Sequence, residues 1–192
     1  NSVYGETLVT PEMLLPENAV CMRLPGTDGK AKMSKSLGNC IYLSDTTKEI
    51  KKKVNSMFTD PEHLQITDPG HVEGNVVFTY LDAFSTDEHF AKYLPEYENL
   101  DAMKDHYRRG GLGDGTCKKF LFNIMEEMLQ PIRERRAEYE QNIPQVYEIL
   151  RKGSEEARRV AGQTLAEVRK AMKIDYFDDA DLIAEHTKKY QK

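Results

Sequence analysis

Lys32 and Lys35 stand in the run Lys32-Met33-Ser34-Lys35-Ser36, with glycines around it at Gly26, Gly29 and Gly38. Two ammonium groups on one extended loop can reach a single polyanion. Ser34 and Ser36 add hydroxyl and backbone donors for the same oxygens. The chemistry such a set performs is stabilisation of negative charge on a leaving pyrophosphate, by preorganised cations in a loop able to close and reopen. A solvated lysine-rich turn has the same composition, so the pentapeptide alone does not decide between the two, and the surrounding chain has to.

Up to Leu43 the apolar residues come in short pieces broken by Pro11, Pro16, Pro25 and the glycines. Thr7-Leu8-Val9 and Val20-Cys21-Met22 are of β type, so strands and loops are expected there. From Ser44 the periodicity becomes helical. Thr46 with Glu49 has capping-box spacing and predicts a helix carrying Ile50, Val54 and Met57 on one face, stopped by Asp60-Pro61. Residues 75–84, a short stretch opened by Thr86, and Leu100 to Arg109 before Gly110-Gly111 predict three more helices. A long helix from Thr116 to Gln141 is expected to bury Phe120, Leu121, Ile124, Met125, Met128, Leu129 and Ile132 on one face and to bend at Pro131. A second, Val146 through Met172, is expected to fold back on it as an antiparallel hairpin, and the tail from Asp175 adds one short helix.

The charge balance narrows the partners. A formal net charge of −5 over 192 residues argues against sequence-blind nucleic-acid binding, though local basic patches remain open. No run of about 18 apolar residues suggests a membrane span, and the opening residues lack a signal-peptide pattern, so a cytoplasmic protein is expected. Cys21, Cys40 and Cys117 are too far apart for a disulfide framework or a zinc site and are expected to be reduced. No metal site is assigned. The chain begins without methionine inside apparent strand-and-turn sequence, as a piece of a larger protein would.

The run from Asp28 to Asn39 resembles the second signature of class I aminoacyl-tRNA synthetases, the KMSKS loop that closes over the triphosphate of ATP. Separated stretches carry the likeness further. Leu24 to Asp45, Asp68-Pro69-Gly70, Gly74 to Phe78, Gly113 to Lys119 and Leu129 to Arg136 are similar to the carboxy-terminal half of the bacterial tryptophanyl-tRNA synthetases. The resemblance implies a mainly α chain. Residues 1–45 would be the end of a Rossmann-type nucleotide-binding domain, and residues 46–192 an α-helical bundle that binds tRNA at its anticodon. It implies ATP, with Mg²⁺ arriving on its phosphates, tryptophan and tRNA-Trp as ligands, and a homodimer for the whole enzyme. Lys32 and Lys35 would take the catalytic role, and Lys32, Met33, Ser34, Lys35 and Ser36 would contact ATP. The tyrosine enzymes share fold and loop, and a stand-alone RNA-binding module descended from a synthetase is a further reading.

One departure is informative. None of His63, His71, His89, His106 or His186 sits in the HIGH-type motif that binds phosphates in this family, so the chain alone is expected to be inactive in amino-acid activation. For tRNA phosphates the candidates are Lys118, Lys119, Arg133 and Arg136, with Lys51-Lys52-Lys53 as a further cluster. Solvated helix faces balanced by Glu49, Glu134 and Glu138 account for the same pattern.

Overall fold

The computed structural model describes residues 1–191, and its regular structure is helical, with no strand among the described residues. The helices are α1 (Thr47–Asn55), α2 (Val76–Phe84), α3 (Asp87–Tyr93), α4 (Leu100–Arg109), α5 (Asp114–Glu140), α6 (Ile143–Ala171) and α7 (Ala180–Tyr190). Contacts divide the chain into two units. One is Leu15–Glu138, and the other joins Asn1–Leu14 to the chain from Tyr139 onward.

In the larger unit α2 is the central element. Val76, Val77, Phe78, Tyr80 and Leu81 are all buried on it. Two adjacent valines cost about 0.5 kcal/mol each in a helix, whereas burying each large side chain returns about 1.5–3 kcal/mol, so packing overrides propensity. Around α2 the core draws Ile50 and Val54 from α1, Phe90 from α3, Met103 and Tyr107 from α4, and Phe120, Leu121, Ile124, Met125 and Leu129 from α5. The α1 start is the capping box its spacing predicts, with Thr46 Oγ1 accepting from the Glu49 N–H and the Glu49 carboxylate accepting from the Thr46 N–H. α5 continues through Pro131, and Met128 and Ile132, expected on its buried face, are exposed instead.

Both expected strands are absent, each for a local reason. At residues 19–22 the chain turns into one 3-10 helix, because the Asn18 side chain accepts from the Val20 N–H and its backbone carbonyl accepts from the Cys21 N–H. The Asn18 carboxamide also donates to the Asp82 carbonyl at 2.8 Å, seating this turn on the end of α2. At Thr7 and Leu8 the backbone N–H groups donate to the Asn1 side chain at 3.1 and 2.9 Å, so they are not offered to a neighbouring strand.

In the smaller unit α6 is amphipathic by pattern yet buries none of its residues. Ile149, Leu150, Val160 and Leu165 are exposed. Ion pairs along the helix, Arg151 with Glu148 and Glu155 and Arg159 with Glu156, lie on its surface.

Candidate phosphate-binding loop

The segment from Leu24 to Asn39 folds back on itself. Pro25 and Lys32 pair as an isolated antiparallel bridge, the Gly26 N–H donates to the Ala31 carbonyl at 2.7 Å, and the Met33 N–H to the Leu24 carbonyl at 3.3 Å. The second half closes through Gly38, whose φ of +67° is one that side chains disfavour. These bonds leave Lys32, Lys35 and Ser36 at the surface, with Met33 and Ser34 half-buried. The two serine hydroxyls lie 2.9 Å apart and share a hydrogen bond.

Asn39 fastens the two halves together and is only 4 % exposed. Its side-chain oxygen accepts from the Ser34 N–H at 2.8 Å. Its amide nitrogen donates to the Asp28 carboxylate at 3.1 Å and to the Lys32 carbonyl at 3.4 Å, and its own carbonyl accepts from the Thr27 N–H at 2.9 Å. Space for this carboxamide exists because residue 26 is glycine: a Cβ there would stand 2.1 Å from the Asn39 amide nitrogen. The hydrogen bond from Asn39 holds the Asp28 carboxyl below its ordinary value, with burial opposing.

The loop is anchored to the helical core at its base. Tyr80 donates its hydroxyl to the Pro25 carbonyl at 2.8 Å, and the Phe58 N–H donates to the Thr27 carbonyl at 3.0 Å. Beyond the loop, the buried Asp45 carboxylate accepts from the Tyr42 N–H at 2.8 Å and pairs with Lys53, whose ammonium lies 4.3 Å from the centre of the Tyr42 ring. Lys53 is therefore a structural cation, and the solvated-face reading holds only for its neighbours Lys51 and Lys52, of which Lys52 is fully exposed and Lys51 lies 6.0 Å from the Phe122 ring.

The expected clamp residues do not all face one space. Met33, Ser34 and Lys35 line a cleft of about 610 Å³ together with residues 40–44, Ile132 and Arg136. Lys32 lines a separate, shallower recess of about 250 Å³ with Arg23 and Lys30. Arg23 and Lys30 were not legible as site residues, because nothing in their spacing marks them; they join Lys32 only through the turn at Gly29.

The four expected RNA contacts separate as clearly. Lys118 donates to the Asn55 carbonyl at 2.9 Å and so closes the end of α1. Arg133 is 18 % exposed, pairs with Glu126 and reaches Thr47 Oγ1 at 3.4 Å, locking α5 against the start of α1. Lys119 is exposed, and Arg136 borders the Lys35 cleft. These last two are 17 positions apart on α5, about 26 Å along the helix axis, and do not form one patch. Among the described residues no group of three His, Cys, Asp or Glu side chains is placed to hold a metal ion, and no helix is long and apolar enough to cross a membrane.

The family model described as tRNA synthetases class I (W and Y) matches residues 2–130, and the chain belongs to that family. Individual relatives are named as enzymes of the tryptophan branch. The tryptophan–tRNA ligase of Clostridium longisporum is 55% identical over 180 residues, covering 93% of this chain and 50% of that protein. A tryptophan–tRNA ligase of Streptococcus pyogenes serotype M3 is 52% identical over 177 residues, covering 92% and 50%. Among solved structures, the tryptophanyl-tRNA synthetase of Campylobacter jejuni complexed with ADP and tryptophan superposes with a TM-score of 0.65 at 26% identity, over 90% of this chain and 50% of that one. The chain thus spans about half the length of the curated relatives it matches.

Proposed function

We propose that this chain supplies the carboxy-terminal half of a tryptophan–tRNA ligase, with residues 1–45 ending its nucleotide-binding domain and residues 46–192 forming the helical domain that meets tRNA-Trp. The whole enzyme joins tryptophan to ATP as the adenylate, releases pyrophosphate, and passes the aminoacyl group to tRNA, working as a cytoplasmic homodimer. Lys32 and Lys35 neutralise the charge that moves onto the pyrophosphate, while Ser34 and Ser36 donate to its oxygens. Because the two lysines border different recesses, their long side chains must converge on the polyanion as it binds.

The donor set fits phosphate and not a caged metal: ammonium, hydroxyl and N–H groups with no carboxylate cluster. Mg²⁺ supplies charge neutralisation of the triphosphate and arrives with ATP. Lys119, exposed on α5, and Arg136, bordering the Lys35 cleft, are the tRNA candidates.

The observation that carries this reading is the exposure of both lysines on a loop whose base is fully hydrogen-bonded, in a chain so similar to tryptophan–tRNA ligases. Filter binding of the purified chain to tRNA-Trp and tRNA-Tyr tests it, with preference for tRNA-Trp expected. Equal affinity for the two would contradict the tryptophan assignment. Calorimetric titration with ATP tests the division of the site: no micromolar affinity is expected, because the family's phosphate-binding histidine motif is not among these residues.

A further inference from the structure

We propose that Asn39 is the positioning residue of the lysine loop, a latch that fixes where Lys32 and Lys35 leave the backbone before any nucleotide arrives. The inference rests on the phosphate reading above and names the residue that makes that loop a preorganised one.

Asn39 contributes no charge and is almost wholly buried, so direct contact with a phosphate is not its work. Its carboxamide instead uses its oxygen and both amide protons within the loop. One bond goes to the N–H of Ser34, between the two lysines, and another to the carbonyl of Lys32 itself. The third goes to Asp28 in the opposite arm. A side chain with one acceptor and two donors is needed, which glutamine could supply only with an extra methylene and aspartate cannot supply at all. The absence of a Cβ at Gly26 is the complementary feature, since any other residue would occupy the carboxamide's place. The consequence is mechanical: losing the latch frees both lysine attachment points at once, so the cations must be ordered when the polyanion binds and catalysis loses its preorganisation.

Asn39→Asp is isosteric but deletes both donors and sets a second carboxylate beside Asp28. Asp28→Asn in the same chain returns a donor to that contact, now running from residue 28 to residue 39. The test measures, in nucleotide-free chain, the tryptic cleavage rate after Lys32 and Lys35 and the hydrogen exchange of the Ser34 amide, with thermal melting alongside. In Asn39→Asp the carboxylate still accepts from the Ser34 N–H, but both donor bonds are lost. The resulting local opening of the loop should raise both rates about tenfold, the factor expected for a buried hydrogen bond of ordinary strength. The melting temperature should barely move, because the helical core is untouched. The double variant should return to within about threefold of the parent, a rescue that general loosening of the fold does not give. Parental rates in Asn39→Asp, or a double variant as fast as the single one, would overturn the proposal. With no nucleotide present, these readouts decide the latch separately from the phosphate reading, which the ATP and tRNA titrations decide.

Discussion

The Tyr80 hydroxyl donates to the Pro25 carbonyl across 2.8 Å, tying the start of the lysine loop to α2, which buries five of its nine residues. Loop and core are therefore one mechanical system, and the burial of this tyrosine shifts its titration. Burial pushes its phenol up to about 12 from an ordinary 10.0, and the negative charges of nearby Cys40 and Asp28 push the same way.

Tyr80→Phe should cost about 1 kcal/mol and lower the melting temperature by about 3 °C. A phenol whose pKa rises on folding stabilises fully below its unfolded value and loses that contribution as pH climbs through the folded one. Stability should accordingly fall from about pH 10 to about pH 12. Phenolate absorbance read against pH should show a late step, and Tyr80→Phe should remove it. A Tyr80→Phe titration identical to the parent would contradict the assignment.

Arg133 and Arg136 are neighbours in sequence with opposite expected phenotypes. Arg133→Ala removes the partner of Glu126, both groups being less than one-fifth exposed, and should destabilise the chain by about 2 kcal/mol with little change in the salt slope of tRNA binding. Arg136→Glu should weaken tRNA binding and reduce that slope by about one. Denaturant melts and filter binding at several salt concentrations read both. A lower salt slope in Arg133→Ala at unchanged stability would reverse the roles.

His71 reports on the loop between α1 and α2. The Asp60 carboxylate, 2.8 Å away, raises the His71 pKa above 6.5 by hydrogen bonding and charge. Burial works against the charged Asp60, but donors from Glu62 and His71 outweigh it and hold its carboxyl below 3.8. The histidine's contribution is full below pH 6.5 and is lost as pH rises through its folded value; that of Asp60 is present above 3.8 and lost as pH falls through its own. In an NMR titration Asp60→Asn should bring His71 down toward its ordinary range, and an unmoved His71 would refute the pairing.

Much of this was legible in the chain, and the failures have common physical causes. The capping box at Thr46 and Glu49 and the apolar faces of α2 and α5 are local patterns, and local patterns report local structure. Val20-Cys21-Met22 misled because a three-residue apolar run fits a strand or a turn, and the deciding bond comes from Asn18. Amphipathicity in α6 marks a face without saying what covers it, so its exposed Ile149 and Leu165 could not be anticipated. Charge was readable among the basic residues but not its employment: Lys118 is held by Asn55, 63 positions away, and Arg133, paired with Glu126 two turns back on its own helix, also reaches Thr47, 86 positions away. Asn39 was visible as the end of the lysine run, but its four bonds depend on a backbone that folds back through Gly29 and Gly38.

The central claim is that Lys32 and Lys35 neutralise charge on the departing pyrophosphate. Tryptophan-dependent ATP–pyrophosphate exchange, measured in the full-length enzyme carrying this chain, tests it most directly through Lys32→Ala and Lys35→Ala. Each should lower kcat by about 10²- to 10³-fold, the loss typical of one preorganised electrostatic group, with tryptophan KM nearly unchanged. Exchange rates within about twofold of the parent for both variants would contradict the account, since an effect that small is well under 1 kcal/mol of transition-state stabilisation.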